Sequence, residues 1–243
     1  MNSLFSRLTF GFLMAQLFPG VLLLLSISVA IEALFTKQTT LSNCIESSIS
    51  NLTSNPTRSV LAIMLSVGLG MAIHGLNWAV IGFIEYEYDK ENKDKGIYES
   101  FWHDKRILWQ ILLGPVKMLI EICDFLWRGK ELKNILLQEN VNDIPREKWN
   151  AFMFVENFYL YFAQFYAHIA YALISVILTI IIFMIFAHAE WKYAFLLIMC
   201  WIACGGAFIV SRIQYGSMFT AEWALAGKYE KKGKRENNND VTV

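Results

Sequence analysis

The chain has 243 residues, of which 56% are hydrophobic and only 17% are charged. A typical soluble protein has about 45–50% apolar and about 25% charged residues, so this composition argues against ordinary soluble domains and excludes a disordered chain. Its 21 basic residues equal its 21 acidic residues, which excludes a strongly basic nucleic-acid binder. Four scattered cysteines are too few for a small disulfide-stapled scaffold.

Four apolar stretches reach the length of about 20 residues that a helix needs to cross a bilayer. They cover residues 8–35, 60–84, 163–187 and 193–210. The sequence therefore predicts an all-α membrane protein with four transmembrane helices. The first stretch is too long for the apolar region of a signal peptide, so we expect it to be retained as a span. No acidic or basic residue is expected deep inside any span, and the fourth ends before Arg212.

The distribution of Lys and Arg predicts the orientation of the spans, because cytoplasmic loops are enriched in these residues. Eighteen of the 21 basic residues lie before the first span, between the second and third spans, or from Arg212 onward. Both termini and the middle segment are therefore predicted to face the cytoplasm. The predicted parts are a transmembrane hairpin at 1–87 with an outer loop at 36–59, a cytoplasmic or interfacial helical segment at 88–149, a long helical hairpin at 150–229 and a basic, disordered tail at 230–243.

The middle segment contains an amphipathic pattern at residues 106–128, which is hydrophobic but too charged to be a fifth span. Its polar residues share one helical face; they are Gln110, Gly114, Lys117, Glu121, Asp124 and Arg128. Flanking tryptophans suit a helix at the membrane interface. A helix packed under the bundle or against another subunit explains the pattern equally well.

The third predicted helix carries the most regular polar stripe of the chain. Its members include Asn157, Tyr161, Gln164, His168, Tyr171, Ser175 and Thr179. The second span offers Ser66, Gly70, His74 and Asn77 in a similar arc, and the fourth offers Cys200, Cys204, Ser211 and Tyr215. Polar groups in a span avoid lipid because an unpaired one in hydrocarbon costs several kcal/mol. These stripes are expected to make helix–helix contacts, and the alternative is that they line a groove or an oligomeric pore.

Catalytic and metal-binding motifs are absent from the sequence, so we expect no catalytic residues, no metal and no cofactor. His74 and His168 fall in predicted spans, where ionisable residues are candidates for proton-relay or metal roles. Neutral, hydrogen-bonded structural histidines are the favoured interpretation. Cys200 and Cys204 lie one turn apart and are interpreted as small packing residues rather than metal ligands.

Two charged clusters are candidate contacts for a partner or for lipid phosphates. They comprise His103, Lys105 and Arg106 before the amphipathic pattern, and Lys231, Lys232, Lys234 and Arg235 in the tail. Anionic lipids are expected to attract such a tail, with a free energy of about 1 kcal/mol for each basic residue near the membrane surface. The nearly balanced charge of the middle segment does not support direct nucleic-acid binding. The expected partners are membrane lipids, further copies of the chain and a soluble cytoplasmic protein.

The motif FGFLMAQLFPG at residues 10–20 resembles the start of small bacterial inner-membrane proteins. Together with four spans and a cytoplasmic middle segment, the layout resembles membrane subunits of antiphage defence systems, including the Kiwa-type membrane protein. This resemblance implies an oligomeric subunit of a bacterial inner membrane that senses infection and recruits a soluble cytoplasmic effector. Our leading hypothesis is therefore a non-enzymatic scaffold or sensor. The alternatives are a pore-forming or membrane-disrupting effector and, third, a lipid-modifying enzyme that uses His103 or His168.

Overall fold

The computed structural model describes residues 13–35, 40–91, 107–128, 145–155, 159–186 and 191–225. These residues are arranged in helices and short connections. The α-helices are α1 (Phe18–Phe35), α2 (Leu41–Thr53), α3 (Pro56–Glu91), α4 (Ile107–Arg128), α5 (Trp149–Val155), α6 (Tyr161–Phe186) and α7 (Trp191–Leu225). A π-helical turn, Leu13–Leu17, precedes α1, and a 3-10 turn, Arg146–Lys148, precedes α5.

Four of these helices are long and apolar enough to cross a membrane, which confirms the prediction of a multi-pass, all-helical protein. The candidate spans are Ala15–Phe35, Pro56–Gly82, Tyr161–Phe186 and Tyr193–Met218. The fourth is longer than the sequence predicted, because its helix continues through Arg212. The sequence analysis placed Arg212 outside the span, whereas it lies within this candidate span, six residues before its end.

The segment at 36–59 contains α2, a helix that the sequence analysis did not identify. Its N-terminus is capped by the Thr40 side chain, which accepts a hydrogen bond of 3.3 Å from the backbone N–H of Asn43. The Asn55 carboxamide similarly accepts a 2.9 Å bond from the Arg58 N–H at the start of α3. Only two residues, Ser54 and Asn55, separate α2 from α3. The sequence analysis missed α2 because its composition is polar. The helix buries small side chains such as Ser48 rather than a broad apolar face.

The spans form one bundle in which α6 is central and packs against α1, α3 and α7. One end of the bundle carries α2, the end of α6 and the start of α7; Cys44 packs there with Val29 and Phe183. We call this the α2 end. At the opposite end, Ile81 of α3 packs with Tyr215 and other residues of α6 and α7.

Helix α4 lies alongside α7 and runs in the same direction. The indole N–H of Trp201 donates a 2.8 Å hydrogen bond to the Leu112 carbonyl, and further along both helices Arg212 contacts Glu121. Between these contacts, a Cβ atom added at Gly205 would lie 1.9 Å from the Ile111 carbonyl oxygen. That carbonyl has no helical donor because Pro115, four residues later, lacks an N–H. Glycine at 205 therefore allows the two backbones to meet where the proline has freed an acceptor.

A second close approach joins α1 and α3. A Cβ atom at Gly20 would lie 1.8 Å from the Ser66 carbonyl oxygen, and one at Gly70 would lie 2.1 Å from the Gln16 carbonyl oxygen. Small residues at four-residue spacing thus bring these two backbones together.

Candidate functional site

The interior of the bundle holds most of the described polar residues that the sequence singled out. On α6, Gln164 and His168 are buried, whereas Tyr161, Tyr171 and Ser175 are partly exposed. On α3, Asn77 is fully buried and His74 is partly buried. The stripe of α6 faces the other helices of the same chain, and we name the cluster formed by His74, Asn77 and His168 the polar layer.

His168 is anchored to the first span through the backbone. Its ring Nδ1 is hydrogen-bonded to the Ala15 carbonyl oxygen, so Nδ1 carries the proton and Nε2 presents a lone pair. Ala15 lies in the π-helical turn, and Pro19, four residues later, has no N–H to offer its carbonyl. The irregular start of the first span therefore supplies the acceptor that fixes the His168 tautomer.

His74 stands beside His168 across the α3–α6 contact. The two ring centroids are 5.3 Å apart and the rings are nearly perpendicular, at 90°. His74 also meets the edge of Trp78, with 6.3 Å between ring centroids. The Nε2 atom of His168 and the Nδ1 atom of His74 are both buried and accept or donate no hydrogen bond within the described part of the chain.

Asn77 connects the polar layer to α7. Its side-chain Nδ2 donates a 2.7 Å hydrogen bond to the Tyr215 hydroxyl, and both side chains are fully buried. The Asn77 Oδ1 atom has no hydrogen-bond partner among the described residues. One turn away on α7, the Ser211 hydroxyl donates a 2.8 Å bond to the Ala163 carbonyl, which ties α7 to α6.

Toward the α2 end, small hydroxyl groups join α1 to α6. Ser26 and Ser175 share a hydrogen bond through their Oγ atoms. The Thr179 hydroxyl lies 3.0 Å from the Ser26 carbonyl oxygen and 2.9 Å from the Ser175 carbonyl oxygen. These bonds occupy the part of the α6 stripe that a pore would need as lining.

A buried ion pair joins α4 to α7, and the sequence analysis missed it. Arg212 Nη2 contacts Glu121 Oε2, and the two residues are 4% and 9% exposed. The guanidinium also lies over Phe208, with 4.7 Å from its central carbon to the ring centroid. Tyr171 of α6 lies next to this pair. The sequence contained one indication of this pair. Glu121 lies on the polar stripe of α4, and Arg212 directly follows Ser211, which lies on the polar stripe of α7.

Several predicted contact residues lie outside the described part of the chain. They are Asn157, His103, Lys105, Arg106, Lys231, Lys232, Lys234 and Arg235. Their proposed contacts with lipid or a partner stay predictions.

The described residues contain no group of three or more His, Cys, Asp or Glu side chains placed to hold a metal ion. Cysteines 44, 123, 200 and 204 are free thiols. The Cys204 thiol donates to the Ala170 carbonyl at 3.4 Å and is fully buried, which is the environment of a packing residue.

Comparisons with known proteins gave no match for this chain. No protein-family model matches it, no curated protein shows significant similarity to it, and no solved structure shows a significant structural match.

Proposed function

We propose that this chain is a non-enzymatic, homo-oligomeric scaffold or sensor subunit of a bacterial inner membrane. In this proposal both termini and the segment at 129–144 face the cytoplasm, where they engage a soluble protein. The observation that carries the proposal is the use of the bundle's polar side chains in contacts within a single chain. Gln164, His168 and Thr179 are each no more than 6% exposed, which favours a packed core over a pore lining or an open active site.

The proposed sidedness is supported by the two ends of the bundle. Residues 36–59 and 187–192, which adjoin the α2 end, carry only Lys37, Arg58 and Lys192, whereas the other 18 basic residues precede the first span, lie between the second and third spans, or follow from Arg212 onward in the sequence. Inner loops of membrane proteins have this excess of Lys and Arg. Fusions of a periplasm-active and a cytoplasm-active reporter after residues 54 and 138 test it. Periplasmic activity at 138 would overturn the proposed orientation.

The proposed oligomer and lipid contacts are supported by broad apolar surfaces. On α4, Trp109 and Trp127 are 57% and 86% exposed, and on α3, Met64 and Met71 are 65% and 56% exposed. Lipid or a second copy must cover such faces, because exposed apolar patches of this extent are unusual on a soluble surface. A role in antiphage defence is supported by the resemblance of the layout to Kiwa-type membrane subunits.

The central experiment is purification of the full chain in native-lipid nanodiscs, with and without the soluble proteins encoded beside it. Native mass spectrometry is expected to show a defined homo-oligomer, and one soluble protein is expected to bind it at fixed stoichiometry. A variant lacking residues 230–243 should lose that partner while keeping the oligomer. A monomer that binds none of these proteins would overturn the proposal.

Flux measurements separate this proposal from a pore-forming effector. Vesicles that contain the protein are expected to retain ions and small dyes. Rapid release that Gln164→Leu combined with His168→Leu abolishes would favour the pore instead. The lipid-modifying alternative predicts that His103→Ala abolishes function without lowering membrane abundance.

A further inference from the structure

Helix α4 is aligned with the fourth candidate span rather than with the end of the bundle. Gly114 meets Gly205, near the middle of the span Tyr193–Met218, where a Cβ atom added at Gly114 would lie 2.9 Å from the Gly205 Cα atom. Seven residues further along both helices, Glu121 contacts Arg212. The two contacts keep one register, so α4 follows α7 through the depth of the span.

This register gives the depth at which α4 begins and ends. At 1.5 Å per residue, its first residue, Ile107, lies about 10 Å from Gly114 toward the α2 end, and Trp127 lies about 20 Å from Gly114 in the opposite direction. The hydrocarbon core of a bilayer is about 30 Å thick, so it extends about 15 Å to either side of the middle of the span. Most of α4 therefore lies at hydrocarbon depth, and its last turn reaches the membrane interface.

The polar stripe of α4 faces the protein, and its outer face is apolar. Gly114 and Glu121 are buried, and Lys117 and Asp124 are partly buried. Among the side chains of α4 that the structure describes, every exposed one is hydrophobic. A helix lying in the interface turns a polar face to water and headgroups, and α4 has no such face outside its contacts with the bundle.

The exposed face of α4 continues the apolar surface of the neighbouring span. Helix α7 exposes Ile202 and Ile213 at depths that α4 also covers, and α4 exposes Leu113 and Ile120 there. Acyl chains offer no hydrogen bonds, so a surface that is apolar throughout this depth suits them. Lipid hydrocarbon can therefore cover α4 as it covers the spans.

The chain between α3 and α4 is long enough for this arrangement. Val80 of α3 packs with Phe125 of α4, which sets the relative height of the two helices. By this contact, Glu91 at the end of α3 lies about 44 Å along the bundle from the height of Ile107. The 15 residues at 92–106 can reach about 50 Å when extended.

We propose that α4 is a membrane-embedded helix parallel to α7, with lipid acyl chains against its exposed face. Its buried carboxylate, Glu121, is tolerated at this depth because Arg212 neutralises it, whereas an unpaired charge there would be costly. This inference is independent of the proposed scaffold function and of which side of the membrane each terminus faces.

Spin labels along α4 test the proposal in the full chain, reconstituted in vesicles of phosphatidylethanolamine and phosphatidylglycerol. The four native cysteines are replaced by alanine, and single labels are attached at Leu113→Cys, Ile120→Cys and Trp127→Cys. Oxygen concentrates in hydrocarbon and a nickel chelate in water, so the ratio of their collision rates with a label measures its depth. The depth is expected to fall by about 10 Å from position 113 to position 120, and by about as much again to position 127.

A label at Ile213→Cys on α7 is the matched control, because Ile213 is exposed and lies close to the height of Ile120. The two labels should report nearly the same depth. Size-exclusion profiles and helical content establish that each labelled chain is folded. One shallow depth shared by all three α4 labels would show an interfacial helix and overturn the proposal. An immobilised Ile120→Cys label that neither oxygen nor the chelate reaches would place a second copy on this face instead of lipid, which would also overturn it.

Two adjacent glycines of α7 test whether this helix holds α4 at depth. Gly205→Leu would place a side chain against the Ile111 carbonyl, whereas a side chain at Gly206 would enter open space. Gly205→Leu should therefore displace α4 and reduce the depth difference between positions 113 and 127, and Gly206→Leu should preserve it. Identical depth profiles in these two variants would overturn the assignment of α7 as the helix that holds α4.

Discussion

Arg212 of α7 and Glu121 of α4 form an ion pair that is buried on both sides, although 91 residues separate them in the chain. Taking both charges out of water costs several kcal/mol per ion, and their contact offsets that cost only while both partners are present. The pair therefore holds α4 against the fourth candidate span mainly because loss of either partner would leave an unpaired charge in the interior. The net attraction between the two charges contributes less.

Removing one partner of this pair should be strongly destabilising. Glu121→Leu leaves the Arg212 guanidinium without its carboxylate in the interior, and we expect a loss of about 3–5 kcal/mol in the free energy of unfolding. Unfolding by SDS titration in mixed micelles, followed by circular dichroism, measures it. Glu46→Gln removes an exposed carboxylate on α2 and should change stability by about 0.5 kcal/mol or less.

The double variant Glu121→Leu/Arg212→Met should recover most of that stability. Replacing a buried ion pair by apolar residues of similar volume is often neutral or stabilising, because both desolvation costs disappear. The same SDS titration gives the coupling energy between the two positions. A double variant as unstable as Glu121→Leu alone would show that the destabilisation comes from lost packing rather than from an unpaired charge.

The sequence predicted the spans because long apolar runs are a local signal, and it predicted the inward stripe of α6 because helical periodicity is local too. It did not place Arg212 within a span, since an isolated charge normally ends one and its neutralisation by Glu121 is a tertiary contact. The orientation of α4 beside α7 depends on Gly205, whose close approach to the Ile111 carbonyl has no counterpart in residue spacing. The amphipathic pattern of α4 predicted a polar stripe but not what the stripe contacts.

The Gly205 contact gives a sharp comparison between two adjacent glycines. A Cβ atom at Gly205 would lie 1.9 Å from the Ile111 carbonyl oxygen, whereas one at Gly206 would have no neighbour within 4 Å. Gly205→Ala should therefore force α4 away from α7 and lower the free energy of unfolding by about 1–3 kcal/mol, as overpacking does. Gly206→Ala should be neutral or slightly stabilising, because alanine is the better helix former by up to about 1 kcal/mol. Equal effects of the two substitutions in the SDS titration would contradict the close approach.

The Asn77–Tyr215 hydrogen bond should contribute modestly to the bundle. Hydrogen bonds between membrane helices average about 0.6 kcal/mol and reach about 1.7 kcal/mol. Tyr215→Phe leaves the Asn77 N–H without its 2.7 Å acceptor, so we expect a loss near the upper figure, about 1–2 kcal/mol. In a double-mutant cycle, Asn77→Leu should make the Tyr215→Phe change less costly. Fully additive effects would show that the two side chains act independently.

Cys44 should be a slow target for thiol reagents even though α2 lies outside the spans. Burial raises the pKa of the Cys44 thiol, and the nearby Glu32 carboxylate raises it further. Because the thiolate is the reactive form, a raised pKa leaves less of it at neutral pH, and its labelling should need a higher pH than that of an ordinary thiol. Ser42 is exposed on the same helix, so a chain whose only cysteine is at Ser42→Cys should react rapidly with maleimide at pH 7. A chain that retains Cys44 alone should react slowly there, and Glu32→Gln should speed it by lowering the pKa. Equal rates for these three chains at pH 7 would contradict both the burial of the thiol and the influence of Glu32.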